Sequence, residues 1–300
     1  MKRALLTMAM ALGLASGASA HIGDKIYLIF EIPDSDRSSL DLKDASVADW
    51  EDVVGDPSLV ATDFFADPTV GEGAQYDPAD MDYRIWLGWN NTADVVYLAM
   101  ERVDNVYINT YPGGNLGDLW SYDAIEFMLD GDHTGGDYTG SADANWTADE
   151  QKLNNNRTAQ QFVAIADSPD GRKVGYLGAG ADWVNALPYA DGGGGSSGEG
   201  PTTSVLEFYV TPFDDLIWNS PGDSDASDLF SGKVIGFQIS APDFDTAPRE
   251  YRAFHTLTGQ AATWRYAERF ADGRLVGAGG DVGSAVEGES WGRVKASFDK

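Results

Sequence analysis

The stretch 95–132, VVYLAMERVDNVYINTYPGGNLGDLWSYDAIEFMLDGD, holds the residue types whose spacing carries the most chemistry. Between 124 and 130 the apolar residues Ile125, Phe127 and Leu129 alternate with Glu126, Met128 and Asp130. A strand there puts the first three on a core face and Glu126 on the other. A mid-strand carboxylate shortly after Trp120 supplies what a pyranose ring needs, an indole plate for its C–H faces and a fixed polar group for its hydroxyls. Trp120 has an equally simple structural reading as core or rim packing.

A second chemistry lies just downstream. In 130–137, DGDHTGGD, the side chains of Asp130, Asp132, Thr134 and Asp137 offer oxygens close to one another, with glycines where the backbone must turn. Such loops wrap hard cations, and calcium is the one expected. The first six residues resemble the start of an EF-hand loop, but Ser141 stands where its bidentate glutamate would be and flanking helices are not expected. The loop reads either as an irregular calcium site or as a plain acidic turn. The segments 222–225 and 243–245 are weaker versions of the same pattern.

These residues need a framework, and short period-2 or β-rich runs provide it: KIYLIFE from Lys25, YRIWLGW from Tyr83, VVYLAMERV from Val95, DAIEFMLD from Asp123, QFVAIA from Gln161 and KVGYLG from Lys173. Others are SVLEFYVT from Ser204, KVIGFQIS from Lys233, ATWRYAER from Ala262 and GRVKASF from Gly292. Loops rich in Gly, Asp, Pro and Asn separate them, and no long helical period intervenes. The expectation is an all-β antiparallel sandwich, jelly-roll or immunoglobulin-like, in one domain over 21–300. Only 45–54 and 212–218 read as short helical turns. Polar loop insertions are expected at about 133–158 and 191–201, the latter, DGGGGSSGEGP, having the composition of a linker.

The chain opens with Lys2 and Arg3, an apolar run and Ala18-Ser19-Ala20 before His21, the pattern of a cleavable secretory signal over 1–20. A secreted or periplasmic protein with no membrane span follows. There are 48 acidic and 20 basic residues, a formal charge of -28 that becomes -30 once Lys2 and Arg3 leave with the signal. Nucleic acid is thereby an unexpected partner. With no cysteine, neither disulfides nor thiolate metal sites are available.

Taken in order, SLDLKDASVADWEDV, WLGWNNTADVVYLAMERVD, LWSYDAIEFMLDGDHTGGDY and SWGRVKASF resemble the family 9 carbohydrate-binding modules over most of the chain. The resemblance implies a β-sandwich that binds calcium, grips oligo- or polysaccharide between two Trp side chains and accompanies glycoside hydrolases without catalysing anything itself. It implies Trp120 and Trp264 as the two plates and Glu126 as a hydrogen-bonding carboxylate. Two departures leave the sugar identity open: Val163 stands where the family carries an arginine, and Ser240 where it carries a glutamine, with Gln238 on the same face as its substitute. Trp50, Trp89 and Trp291 match structural positions, while Trp183 is a candidate for lining an extended site.

Two other classes are weighed. A related group of β-sandwiches holds b-type haem between a Met and a His or Lys; Met100, Met128 and His255 are the residues here that would serve. A glycoside hydrolase would need two placed carboxylates, and among so many acidic residues the sequence singles out no pair.

Overall fold

The computed structural model describes residues 26–71, 73–169, 171 and 174–280. The expected signal at 1–20, the strand from Gly292 and Trp291 lie outside them. β1 (Ile26–Glu31) leads into two short helices, α1 (Asp34–Arg37) and α2 (Ala48–Val53), then the two-residue strands β2 (Leu59–Val60) and β3 (Phe65–Ala66). The hairpin β4 (Met81–Asn90) and β5 (Val95–Asp104) passes through a 3-10 turn at Leu116–Ser121 to β6 (Ile125–Asp130), α3 (Ala148–Arg157), β7 (Gln160–Ala164) and β8 (Val174–Tyr176). The second half holds β9 (Ala190–Ser197), β10 (Thr202–Val210), β11 (Phe213–Asp215), β12 (Asp225–Ala226), β13 (Val234–Asp243), β14 (Ala253–Thr256) and β15 (Ala271–Val276).

The main path of the sheet runs β8, β7, β6, β13, β15, β1, β4, β5, β10, β9, and its two end strands touch. The sheet therefore curls back on itself into an all-β, sandwich-like shell. Its ladders are antiparallel except where β1 lies parallel to both β15 and β4. Period-2 alternation sends one face of each strand inward, so Ile85, Leu98, Ile125, Phe127, Leu129, Phe162, Phe208, Phe237 and Leu275 build the central core. Each such side chain contributes about 1.5–3 kcal/mol relative to exposure.

A second apolar cluster lies outside the shell, where α2 and the chain around it cover β4, β5 and β10. There Trp50 and Trp86 pack with Val95, Tyr97 and Val205. Indole nitrogens cannot be buried unpaired without cost. Accordingly Trp50 donates to a Glu207 carboxylate oxygen at 3.0 Å, Trp86 to the Gly55 carbonyl at 2.9 Å, and Trp89 to the Val276 carbonyl at 3.1 Å. Trp50 and Trp89 are structural, as their motif positions imply.

Four expectations need correction. The glycine-rich segment 191–201 is not a loop insertion over most of its length: β9 pairs with β10 from Ala190 to Ser197. Glycine is required at Gly192 and Gly194, where a Cβ would lie 2.3 Å from the Glu207 and 2.2 Å from the Val205 carbonyl oxygens of β10, and space is tight at Gly193 and Gly195, where it would lie 3.0 Å from the Leu42 carbonyl oxygen and 3.2 Å from the Ala45 Cβ. Chain at 42–45, before α2, passes close over one face of β9, and β10 closes on the other. Secondly, the 133–158 stretch ends in α3, whose N-terminus carries a capping box between Thr147 and Glu150. Its buried residues, Asn155 and Asn156, are polar, so no apolar stripe announced it.

The third correction concerns ATWRYAER, which is not a strand; Ala262 has a φ of 51° and a 3-10 turn follows at Ala267–Arg269. Lastly, the first helical turn expected is α2, but the second, at 212–218, contains β11 instead.

Candidate functional site

β6 sits between β7 and β13, with Glu126 opposite Val163 and Ser240, and Met128 opposite Gln161 and Gln238. Directly opposed residues share a sheet face, so Glu126, Gln161, Gln238 and Ser240 form a polar patch on the face turned away from Phe127. Glu126 and Gln238, the polar pair taken from the sequence, are thus on neighbouring strands. The patch is covered: Glu126 is 3% exposed and Gln238 0%. Gln161 donates to the Glu126 carboxyl at 3.1 Å, and Gln238 to the Thr258 hydroxyl at 3.2 Å. Burial pushes the Glu126 carboxyl up to about 8, so at neutral pH it largely holds its proton and can donate as well as accept. The Gln238 carbonyl oxygen, the Ser240 hydroxyl and the Thr263 hydroxyl have no hydrogen-bond partner. Buried polar atoms are seldom left so.

Two loops fastened together lie over this part of the sheet. Tyr138 N–H donates to the Arg265 carbonyl at 2.9 Å, and Ala267 N–H to the Gly136 carbonyl at 2.8 Å. The Tyr138 hydroxyl donates to the Thr263 carbonyl at 2.7 Å. Its ring meets Phe270 edge to face and packs with Met128. Burial raises the phenols of both Tyr138 and Tyr251, and the Glu126 carboxylate, once ionised, raises them further. Trp264 rides on this strap and is 37% exposed. Its ring runs against Gly140, whose φ is +81° and where a Cβ would come within 3.1 Å of the indole.

Trp120 sits in the 3-10 turn at Leu116–Ser121, which Asn115 caps by accepting from Gly117 N–H at 3.1 Å. It is half-buried against the cluster of Tyr111, Leu116 and Leu119. Arg249 places its guanidinium 4.9 Å from the Trp120 ring centre while donating to Asp118 at 3.0 Å and Ser121 at 2.9 Å. Cation and ring attract each other, which orients the indole. Neither Arg249 nor Gln161 was singled out in the sequence, because long-range partners leave no local pattern.

In the 130–137 loop, Asp130 accepts from Thr134 N–H at 3.2 Å and from Gly135 N–H at 2.7 Å. Asp132 takes the Thr134 N–H at 3.2 Å and its hydroxyl at 2.7 Å. Asp137 faces Arg265 at 3.7 Å. The loop closes on its own donors. Among the described residues, the carboxylates that converge closely in threes are Asp104, Asp123 and Asp243, and Asp80, Asp243 and Asp245. Burial pushes Asp104 up to about 6 and Asp243 to about 7, and raises Asp123 well above the carboxylate range.

The haem residues are otherwise engaged. Met100 belongs to the central core and Met128 packs under Tyr138. His255 contacts the Tyr83 hydroxyl at 3.4 Å through Nδ1 and the Ala74 carbonyl at 3.2 Å through Nε2. Trp183 packs against Tyr189 and Phe213 and donates to the Trp218 carbonyl at 2.9 Å. Open clefts of about 380 and 410 Å³ lie over the outer faces of β5 and β10, and neither is lined by the expected site residues.

No helix among the described residues is long and apolar enough to cross a membrane. No known protein-family profile matches the chain, and no curated protein matches it. Among solved structures, the fold is similar to a family 9 carbohydrate-binding module from Caldicellulosiruptor kristjanssonii in complex with cellotriose, with a TM-score of 0.48 and 10% identity over 88% of this chain and 100% of that one. A family 9 module of the same organism in complex with glucose gives a TM-score of 0.48 and 12% identity over the same shares.

Proposed function

We propose that this chain is a secreted, non-catalytic carbohydrate-binding protein in which sugar rings stack on Trp264 and Trp120 while Glu126 and Gln238 take the hydroxyls. One observation carries the reading: a polar patch with unpartnered atoms on Gln238 and Ser240 lies in the part of the sheet covered by a strap that presents an exposed indole. Sugar hydroxyls donate and accept, so a protonated Glu126 beside a free amide oxygen and a free hydroxyl suits them. Contact with the patch requires the strap to shift. It is held by hydrogen bonds and by the buried Tyr138 ring, so the shift is a local opening of that contact. Stacking and hydroxyl contacts bind without breaking a bond, which leaves hydrolysis of the glycan to a separate glycoside hydrolase.

The test is a glycan array spanning β-glucans and xylans, run with residues 21–300 of the wild type and of Trp264→Ala. Retention of the wild type on a defined oligosaccharide set, lost in the variant while the thermal melt stays nearly unchanged, is the expected result. A folded wild type that binds no oligosaccharide overturns the proposal.

A further inference from the structure

The turn that carries Trp264 also carries two arginines. Arg265 N–H and Tyr266 N–H both donate to the Ala262 carbonyl, at 3.0 and 3.2 Å, so the chain doubles back directly after the exposed indole. The Arg265 guanidinium lies 5.2 Å from the centre of the Tyr266 ring and that of Arg269 lies 4.2 Å from it. Attraction between cation and ring holds both side chains to one half-buried plate. Arg269 Nη1 donates to the Ala261 carbonyl, which brings its guanidinium back beside the residues leading into Trp264.

Few acceptors meet these donors. Arg265 Nε is buried without a hydrogen-bond partner, and its Nη2 stands 3.7 Å from Asp137, beyond hydrogen-bond length. Among the described residues no carboxylate pairs with Arg269, Glu268 of the same turn included, and Arg269 Nε and Nη2 make no hydrogen bond. Those two nitrogens form one edge of the guanidinium fork, the kind of edge that takes a carboxylate or a sulfate through two parallel bonds. The arginine beside the other indole differs, since Arg249 commits its Nε to Ser121 and its Nη2 to Asp118.

We infer that Arg269 and Arg265 recognise an anionic substituent, a carboxylate or a sulfate ester, on the sugar that stacks on Trp264, an inference that rests on the carbohydrate reading above. A hydroxyl is uncharged and presents a single oxygen, whereas either anion presents two to the fork and balances the unpaired charge of Arg269. The negative charge of the chain as a whole acts weakly at this turn, because charges farther off than about 8 Å are screened at physiological ionic strength. Beneath the strap Glu126 largely holds its proton at neutral pH and sets no full negative charge against the ligand. A long polyanion such as nucleic acid would still meet the acidic surface beyond the turn, so the ligand is an acidic sugar within an oligosaccharide.

The experiment measures binding of residues 21–300 to matched oligosaccharides, each backbone in neutral, uronate-bearing and sulfated form, at low and high salt. The wild type should bind an acidic member at least tenfold tighter than its neutral parent, and high salt should shrink that preference. Which acidic form is preferred distinguishes carboxylate from sulfate. Arg269→Ala should remove most of the preference; if it fails to fold, Arg265→Gln is read in the same way. Equal weakening of acidic and neutral members would mark a structural role for the arginine and overturn the inference. A wild type that binds the neutral parents as tightly as the acidic members also overturns it and leaves the carbohydrate reading standing, whereas a folded wild type that binds no oligosaccharide overturns both.

Discussion

The Tyr138 hydroxyl donates to the Thr263 carbonyl across 2.7 Å within a fully buried contact, and this bond joins the loop after β6 to the loop before β15. The strap over the polar patch depends on it. Tyr138→Phe keeps the ring against Phe270 but leaves a buried carbonyl without its donor, at a cost of about 1–3 kcal/mol. Urea unfolding should show a lower midpoint at unchanged slope, together with faster proteolysis in 133–142. A variant as stable as wild type would mean the hydroxyl does not hold the strap.

Glu126 makes stability fall with rising pH. Its carboxyl is pushed from 4.5 to about 8 by burial, so between those values the folded state holds a proton that the unfolded state has released. The contribution is fully present below about pH 4.5 and is lost as pH rises through about 8. Glu126→Gln removes that dependence. Melting curves should place the variant near wild type at pH 5 and above it at pH 9, by an upper limit of a few kcal/mol. Parallel pH profiles would show that the carboxyl titrates normally.

Glu207, on the outer face of β10, is likewise raised to about 8 by burial while accepting from Trp50. Glu207→Gln retains an oxygen for the indole and should also gain stability at pH 9. The two carboxyls lie under different covers, α2 and the strap, so the double variant should sum the single gains within about 0.5 kcal/mol. A larger discrepancy would reveal coupling through the sheet.

Gly140 sets where the exposed indole stands. An alanine there meets the +81° backbone with a penalty of about 1–2 kcal/mol and pushes against the Trp264 ring. Gly140→Ala should weaken retention on a glycan that the wild type binds, by more than its small loss of stability explains, and shift the tryptophan fluorescence. Unchanged retention would separate Trp264 from the site.

Gly192, on β9, lies so close to its partner strand β10 that an added Cβ would sit 2.3 Å from the Glu207 carbonyl oxygen. Gly192→Ala should therefore destabilise by about 1–3 kcal/mol, read from the denaturation midpoint. A flexible linker would absorb the methyl group without effect.

Much of the frame is written in short-range pattern. Ile125, Phe127 and Leu129 alternate with Glu126 and Met128, and period two alone puts them on opposite faces of β6. The same arithmetic finds β1, β4, β5, β7, β10 and β13, and the acidic, cysteine-free composition limits the partners. What lies over each face is another matter. DGGGGSS has the composition of a linker and becomes β9 because it pairs with β10, whose backbone leaves no room for a Cβ at Gly192 and Gly194, while 42–45 passes close over Gly193 and Gly195. The helix α3 hides its buried side behind Asn155 and Asn156, the latter bonded to Tyr176 and to backbone carbonyls. Asp104, Asp123 and Asp243 are far apart in the chain and carry no common motif; only the meeting of three strand ends makes them one cluster. Local alternation determines which face a side chain takes, since it depends on neighbours along the strand. Tertiary structure decides what that face meets, because burial, charge balance and unpaired polar atoms are set by residues distant in sequence.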